Sequence, residues 1–406
     1  MKTKTKVVRS EFLYYIALFC EVIAMQIGLM TLPYQIAGLS LLMKMLRYAG
    51  YAIVLVKLYK TDFTTGEMIR LMAIVLLMAI RIPAVGRASF LVFLFIYGMK
   101  GIEFEKLARA ICIWMVLGVV ITIAGAYSGV MENWGYNLNS DRPRYAIGYF
   151  YPSHATSAIL YTVLLMCYVL KERLKFWHVI ALELFNLWQY TKTDSRTGTA
   201  VIAVALLVFW GMKFLDKDSV KTVLCRLLSY SFLLSAAISL LGALFYDKSS
   251  QIWLKLNAFF NRRLALAHDG MEEFGIRLLG QKIDWVGYGG LGHVFQSLDR
   301  EYNYVDCSYI KILLSEGAVF WILILAGFTL ACRKAAYKRN IYLCTALAFT
   351  AVYSIIEPRL CEIGFNPFML MLAVLIDYRG EFISSGGKSA LAVESVCSGK
   401  EMKAYG

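Results

Sequence analysis

Long apolar windows separated by short polar punctuation recur along the chain from Phe12 to Tyr378. A bilayer core asks for about 20 apolar residues per helix. Windows of that kind fall near 12–31, 36–58, 68–85, 87–99, 108–129, 152–170, 176–190, 197–214, 226–246, 309–331, 341–357 and 362–378. The pattern predicts an all-α fold: a polytopic helical membrane protein of about 12 transmembrane helices, with 1–378 as a single transmembrane domain. The first window follows Lys2, Lys4, Lys6 and Arg9, as a signal peptide would. It is too long for a signal core, contains Glu21, and has no small-x-small cleavage site before Pro33, so it reads as a retained span.

Composition agrees: 59% of the 406 residues are hydrophobic and only 17% are charged, against about a quarter charged in ordinary soluble domains. The net charge of +14 is spread over many loops and forms no basic stripe interleaved with aromatics, which argues against nucleic acid as a partner. Bilayer orientation accounts for it better. MKTKTKVVR, KLYK, KGIEFEKLAR, KERLK, KFLDKDSVKTVLCR and RKAAYKR all fall on one side of the predicted spans, which the positive-inside rule makes cytoplasmic. Both termini are then cytoplasmic, and 379–406 reads as a polar, disordered tail. The nine cysteines show no CxxC or Cys/His ligand spacing and read as packing residues, so neither a metal nor a cofactor is expected.

Two unusual pieces fall on the other face, 131–151 and a large extracytoplasmic loop, 247–308. A loop of that length should be partly structured. SSQIWLKLNAFFNRRLALA carries a candidate Ser cap and apolar residues at Ile252, Leu256, Phe259 and Phe260, predicting a helix lying on the membrane surface. VGYGGLGHVF is glycine-rich but lacks the Lys-Ser/Thr step of a phosphate loop.

Charges inside spans are costly unless paired. Glu21, Lys44 and Arg47 fall at matching depth in the first two spans, which predicts an interhelical salt bridge. Arginines on the outer face run against the positive-inside trend: Arg142, Arg144, Arg196, Arg262, Arg263, Arg277 and Arg359. The planar guanidinium fork matches phosphate oxygens, and lipid-linked diphosphates are held at that interface. Head-group anchoring or internal ion pairing is the plainer use for any one of them.

Several local patterns together resemble the O-antigen polymerase and O-antigen ligase family, the Wzy-like polysaccharide polymerases. In VDCSYIKILLSEGAVFWILIL, Asp306 and Cys307 take the places of the family's His-Asn, Tyr309 and Ile310 follow, and Gly317 falls at the expected distance. RYAIGYFYPSHATSAILY resembles the family's Arg-x-x-x-Gly and span-opening His-Pro-Asn turn through Arg144, Gly148 and Pro152. DSRTGTAVIAV places Arg196 before a span that opens with small residues, and NRRLALA offers Arg262 or Arg263 for a Gly-Arg element. The resemblance covers 142–330.

It implies a fold resembling the GT-C glycosyltransferases in the bacterial cytoplasmic membrane. It also implies polymerisation of lipid-linked oligosaccharide repeat units into a capsule, exopolysaccharide or O-antigen at the outer face. Donor and acceptor would be polyprenyl-diphosphate-linked oligosaccharides, with membrane lipids, a chain-length regulator and a flippase as further partners. Arg142, Arg144, Arg196 and Arg263 would hold the diphosphate, with Arg262 and Arg359 as further binding residues, and Asp306 would be the base. An N-terminal helix cap is the plainer reading of Asp306. His154 would orient a sugar hydroxyl or serve structure alone; His268 and His293 are weaker base candidates; Trp253, Trp285 and Tyr302 would stack on sugars or anchor at the interface. Two other readings stay open, a lipid-linked oligosaccharide flippase and a ligase that moves the glycan to a different acceptor.

Overall fold

The computed structural model describes residues 2–138, 141–287 and 302–385, and within them the chain is mostly helical. Six helices precede a small hairpin: α1 (Lys2–Leu29), α2 (Leu32–Gln35), α3 (Leu39–Tyr59), α4 (Thr65–Val85), α5 (Ala88–Gly98) and α6 (Phe104–Tyr127). The hairpin pairs β1 (Gly135–Tyr136) with β2 (Arg144–Tyr145). Then come α7 (Pro152–Leu170), α8 (Phe176–Thr193), α9 (Arg196–Gly211), α10 (Asp218–Leu228), α11 (Ser231–Leu244), α12 (Gln251–Phe259), α13 (Arg263–Phe274), α14 (Ser308–Ser315), α15 (Ala318–Tyr337) and α16 (Ile341–Tyr353).

Among the described residues, eight helical stretches are long and apolar enough to cross a membrane: Ser10–Leu29, Leu39–Tyr59, Thr65–Val85, Phe104–Tyr127, Pro152–Arg173, Arg196–Phe214, Asp218–Leu244 and Ala318–Tyr337. With α5 and α16 as shorter apolar helices, the chain is a multi-pass, all-α membrane protein. Its outer surface is that of a bilayer protein: Leu41, Leu42 and Met45 of α3 and Met72, Leu76 and Ile80 of α4 are exposed. Packing centres on α7, where 78% of the spanning window is buried. Small residues let its neighbours close in, and a Cβ on Gly198 of α9 would meet Thr156 Cγ2 of α7 at 2.5 Å.

Three expectations are corrected. The predicted twelfth span, 362–378, contains a nine-residue 3₁₀ helix, Pro367–Leu375, buried throughout. At about 2 Å per residue it covers roughly 18 Å, short of the ~30 Å hydrocarbon core. The apolar run 309–331 breaks at Gly317, whose φ of 89° no side chain tolerates well and whose Cβ would strike Gly280 N at 2.2 Å. The single surface helix expected after Ser250 is two, α12 and α13, separated by Asn261 and Arg262 in left-handed backbone, and Ser250 makes no side-chain cap. The salt bridge expected between the first two spans forms between buried Glu21 and Arg47, at 3.9 Å.

Polar residues gather at both ends of α7. At one end Glu105 accepts from Lys171 at 2.5 Å, Arg109 at 2.9 Å and Ser384 Oγ at 2.7 Å, while Asn340 donates to the Ser384 carbonyl at 3.1 Å. Segments that the charge pattern assigns to one side thus meet there. The opposite end, at Pro152, opens into a cavity.

Candidate active site

The cavity at the Pro152 end of α7 has a volume of about 1010 Å³. Its wall combines the hairpin, the first turns of α7, α9 and α13, and the stretches 285–287, 302–306 and 353–359. Gly148 sets the entry to α7: its φ is +88° and a Cβ there would meet Thr122 O at 2.5 Å, so the tight turn that delivers Tyr151 and His154 to the cavity requires glycine.

An outer ring of cations is built on the α8–α9 turn. Asp194 ends α8 in left-handed backbone and holds two of them: Arg142 is ion-paired with it, and Arg196 Nε lies 3.7 Å away. Both arginines remain accessible, with side chains 48% and 59% exposed. Arg144 is more constrained. Its Nε donates to the Thr193 carbonyl at 2.8 Å and its guanidinium lies 5.8 Å from the Tyr151 ring centroid.

Deeper in, Arg263 stands between two carboxylates. Its Nε is 3.5 Å from Asp306 Oδ2 and its Nη2 is 3.5 Å from Glu357 Oε1. Burial raises the Asp306 carboxyl above its usual range, against the pull of Arg263 and Arg359. Burial likewise pushes Glu357 up to about 7, opposed by Arg263 and reinforced by Asp306. The two acids therefore titrate as a linked pair. Asp306 is not a helix cap: Cys307 occupies the N-cap of α14, which has no side-chain cap bond.

Arg359 donates from Nη1 to both carboxylate oxygens of Glu362, at 2.8 and 2.9 Å, and from Nη2 to His154 Nε2. A guanidinium has no acceptor, so that imidazole lone pair is already engaged. The ring is also packed against Phe150, with centroids 4.4 Å apart. His154 is thus a fixed wall residue and not a free base.

The structure brings Arg142, Arg144, Arg196, Arg263, Arg359, Asp306 and His154 together, with Trp285 and Tyr302 in the wall. Others it places elsewhere. Arg262 is exposed in left-handed backbone beside the cavity rather than in its lining, because the break that turns Arg263 inward turns Arg262 out. Arg277 is exposed and Trp253 packs near Tyr246, centroids 6.2 Å apart. His268 lies 2.9 Å from the Ala243 carbonyl and 3.3 Å from Glu272. His293 lies outside the described residues. Sequence reasoning missed Asp194, Tyr151, Tyr304, Glu357 and Glu362. The one available signal was EPRLCE, which sets Glu357, Arg359 and Glu362 together between apolar runs. Comparison of the chain with protein-family models, curated proteins and solved structures gave no match.

Proposed function

We propose that the protein transfers a glycan from a polyprenyl diphosphate to a hydroxyl of a second lipid-linked oligosaccharide, polymerising repeat units into a surface polysaccharide at the outer face of the bacterial cytoplasmic membrane. One observation carries the reading: accessible Arg142 and Arg196 at the rim of a 1010 Å³ cavity that has the Asp306–Arg263–Glu357 triad at its depth. The rim arginines suit a diphosphate leaving group, because preorganised donors stabilise charge where it develops. Asp194 holds them until the diphosphate takes its place. The carboxylate pair suits the attacking side. One carboxylate accepts the proton of the incoming hydroxyl as its oxygen bonds to the anomeric carbon, the bond from that carbon to the phosphate oxygen breaks, and the diphosphate departs with the electron pair. Burial that raises a carboxylate's basicity improves it as a base near neutral pH. Trp285, Tyr302 and Tyr304 line the space between and offer faces for sugar rings.

The cationic ring sits at one end of α7, whereas a flippase would bind its cargo near the bilayer midplane between two related halves. Deletion of the gene in its native strain, followed by sizing of the surface glycan, tests the reading. Loss of long chains with single repeat units retained is expected. Accumulation of unflipped units inside the cell would favour the flippase, and long chains left unattached to their final acceptor would favour a ligase.

A further inference from the structure

A second cavity, of about 490 Å³, lies beyond α14 from the first, against α1, α3 and α5. Nothing in the transfer chemistry uses it. Lys44, Arg47, Arg87 and Lys311 supply its cations. The carboxylates facing them are largely committed elsewhere. Glu362 gives both oxygens to Arg359, Glu316 pairs with Arg81 at 2.5 Å, and Glu21 is ion-paired with Arg47 at 3.9 Å. Lys44 and Arg87 have no ion-pair partner among the described residues, and Arg47 Nε is buried without a hydrogen-bond partner there. The charge left over is positive.

The location identifies the counter-charge. Lys44 and Arg47 belong to α3, a helix apolar enough to cross the membrane, and the neighbouring Leu41, Leu42 and Met45 are exposed. Lys44 lies five residues into that helix, roughly 8 Å along its axis, close enough to the helix end for its long side chain to reach the head-group layer. Cations in a span without partners are costly, so a built cationic cavity at this depth is matched to an anion delivered from the bilayer. An anion with apolar tails fits both halves: its phosphate between Lys44, Arg47 and Arg87, its chains along the exposed flank of α3. Guanidinium forks favour phosphate oxygens in particular.

We infer that this cavity is a binding site for an anionic, phosphate-headed membrane lipid, separate from the cavity of the proposed transfer. The two cavities share a wall. Lys311 donates to the Tyr304 hydroxyl at 2.7 Å and Glu362 holds Arg359, and both Tyr304 and Arg359 line the first cavity. The inference is independent of the glycan-transfer reading, since its test measures bound lipid and no product.

Full-length protein in neutral detergent is stripped of lipid, titrated with phosphatidylglycerol, and read by native mass spectrometry. One saturable phosphatidylglycerol is expected, with affinity weakened about tenfold or more in Lys44→Gln/Arg87→Gln, the scale of losing a charge-assisted contact. Lys255→Gln, on exposed α12, should bind as wild type does. If the double variant does not fold, Lys44→Gln alone, at an exposed position, gives the same reading with a smaller loss. Absence of saturable binding, or equal affinity in the variants, overturns the site. Equal binding of inorganic phosphate, lost in the same variants, overturns the lipid assignment in favour of a free anion.

Discussion

Replacing Arg263 with Met keeps an unbranched side chain and removes the charge between Asp306 and Glu357. The Arg263 side chain is 14% exposed, that of Asp306 26% and that of Glu357 8%, with both contacts at 3.5 Å. Removing one partner from a fully buried ion pair costs about 3–5 kcal/mol. These contacts are longer than the ~2.8 Å of a charge-assisted hydrogen bond, and partial exposure of Asp306 softens the loss, so about 2–3 kcal/mol is expected when both acids are ionised. Protonation relieves part of that. Burial already raises both carboxyls in the folded protein, Glu357 to about 7, and loss of Arg263 raises them further. The folded variant then binds more protons than the folded wild type across the window around and above pH 7, so its stability relative to wild type falls as pH rises. Thermal unfolding in detergent should show a small deficit of about 1 kcal/mol at pH 6, growing to about 3 at pH 8. An equal Tm deficit at both values, or none at either, would refute the triad as the source of the effect.

Transfer by the wild type should increase with pH through about 7 as Glu357 ionises, and Glu357→Gln should abolish that step; a flat profile from pH 6 to 8 in initial-rate assays counts against the pair. Arg196→Lys keeps the charge but not the two-pronged donor, so turnover should drop about tenfold or more, and near-normal chain lengths would make Arg196 structural. An impermeant thiol reagent should label a cysteine placed at 272 in intact cells and ones at 171 and 333 only after permeabilisation. The opposite pattern would invert the topology.

Where a helix meets lipid on one side and protein on the other, its sequence announces it. α1, α3, α4, α6 and α7 all fall within a few residues of the apolar windows that predict them, apart from the N-terminal extension of α1 to Lys2. Hydropathy cannot see what happens inside the bundle. Residues 341–356 and 363–376 are as apolar as a span, but they are largely buried by neighbours, so the chain is free to form a 13-residue helix and a short 3₁₀ helix there. The break at Gly317 is equally silent, because it depends on Gly280, a partner far away in sequence. Arginines away from the predicted cytoplasmic loops marked the cavity because they break the charge pattern along the chain. Glu357 and Glu362 went unmarked because lone acids at span ends look ordinary until Arg263 and Arg359 are seen to meet them. The choice between Arg262 and Arg263 depended on two left-handed residues, Asn261 and Arg262, ahead of α13.

The most direct test of the proposed chemistry assays purified protein in liposomes supplied with polyprenyl-diphosphate-linked repeat units, comparing wild type with Asp306→Asn. Asn preserves size and polarity but cannot accept the hydroxyl proton, and since Asp306 does not cap α14, nothing in the helix start depends on the carboxylate. A ladder of elongated glycans is expected from the wild type, and a loss of about 10²-fold or more in transfer from a correctly inserted Asn variant. A wild type that forms no ladder, or an Asn variant with near wild-type turnover, would contradict the proposed chemistry.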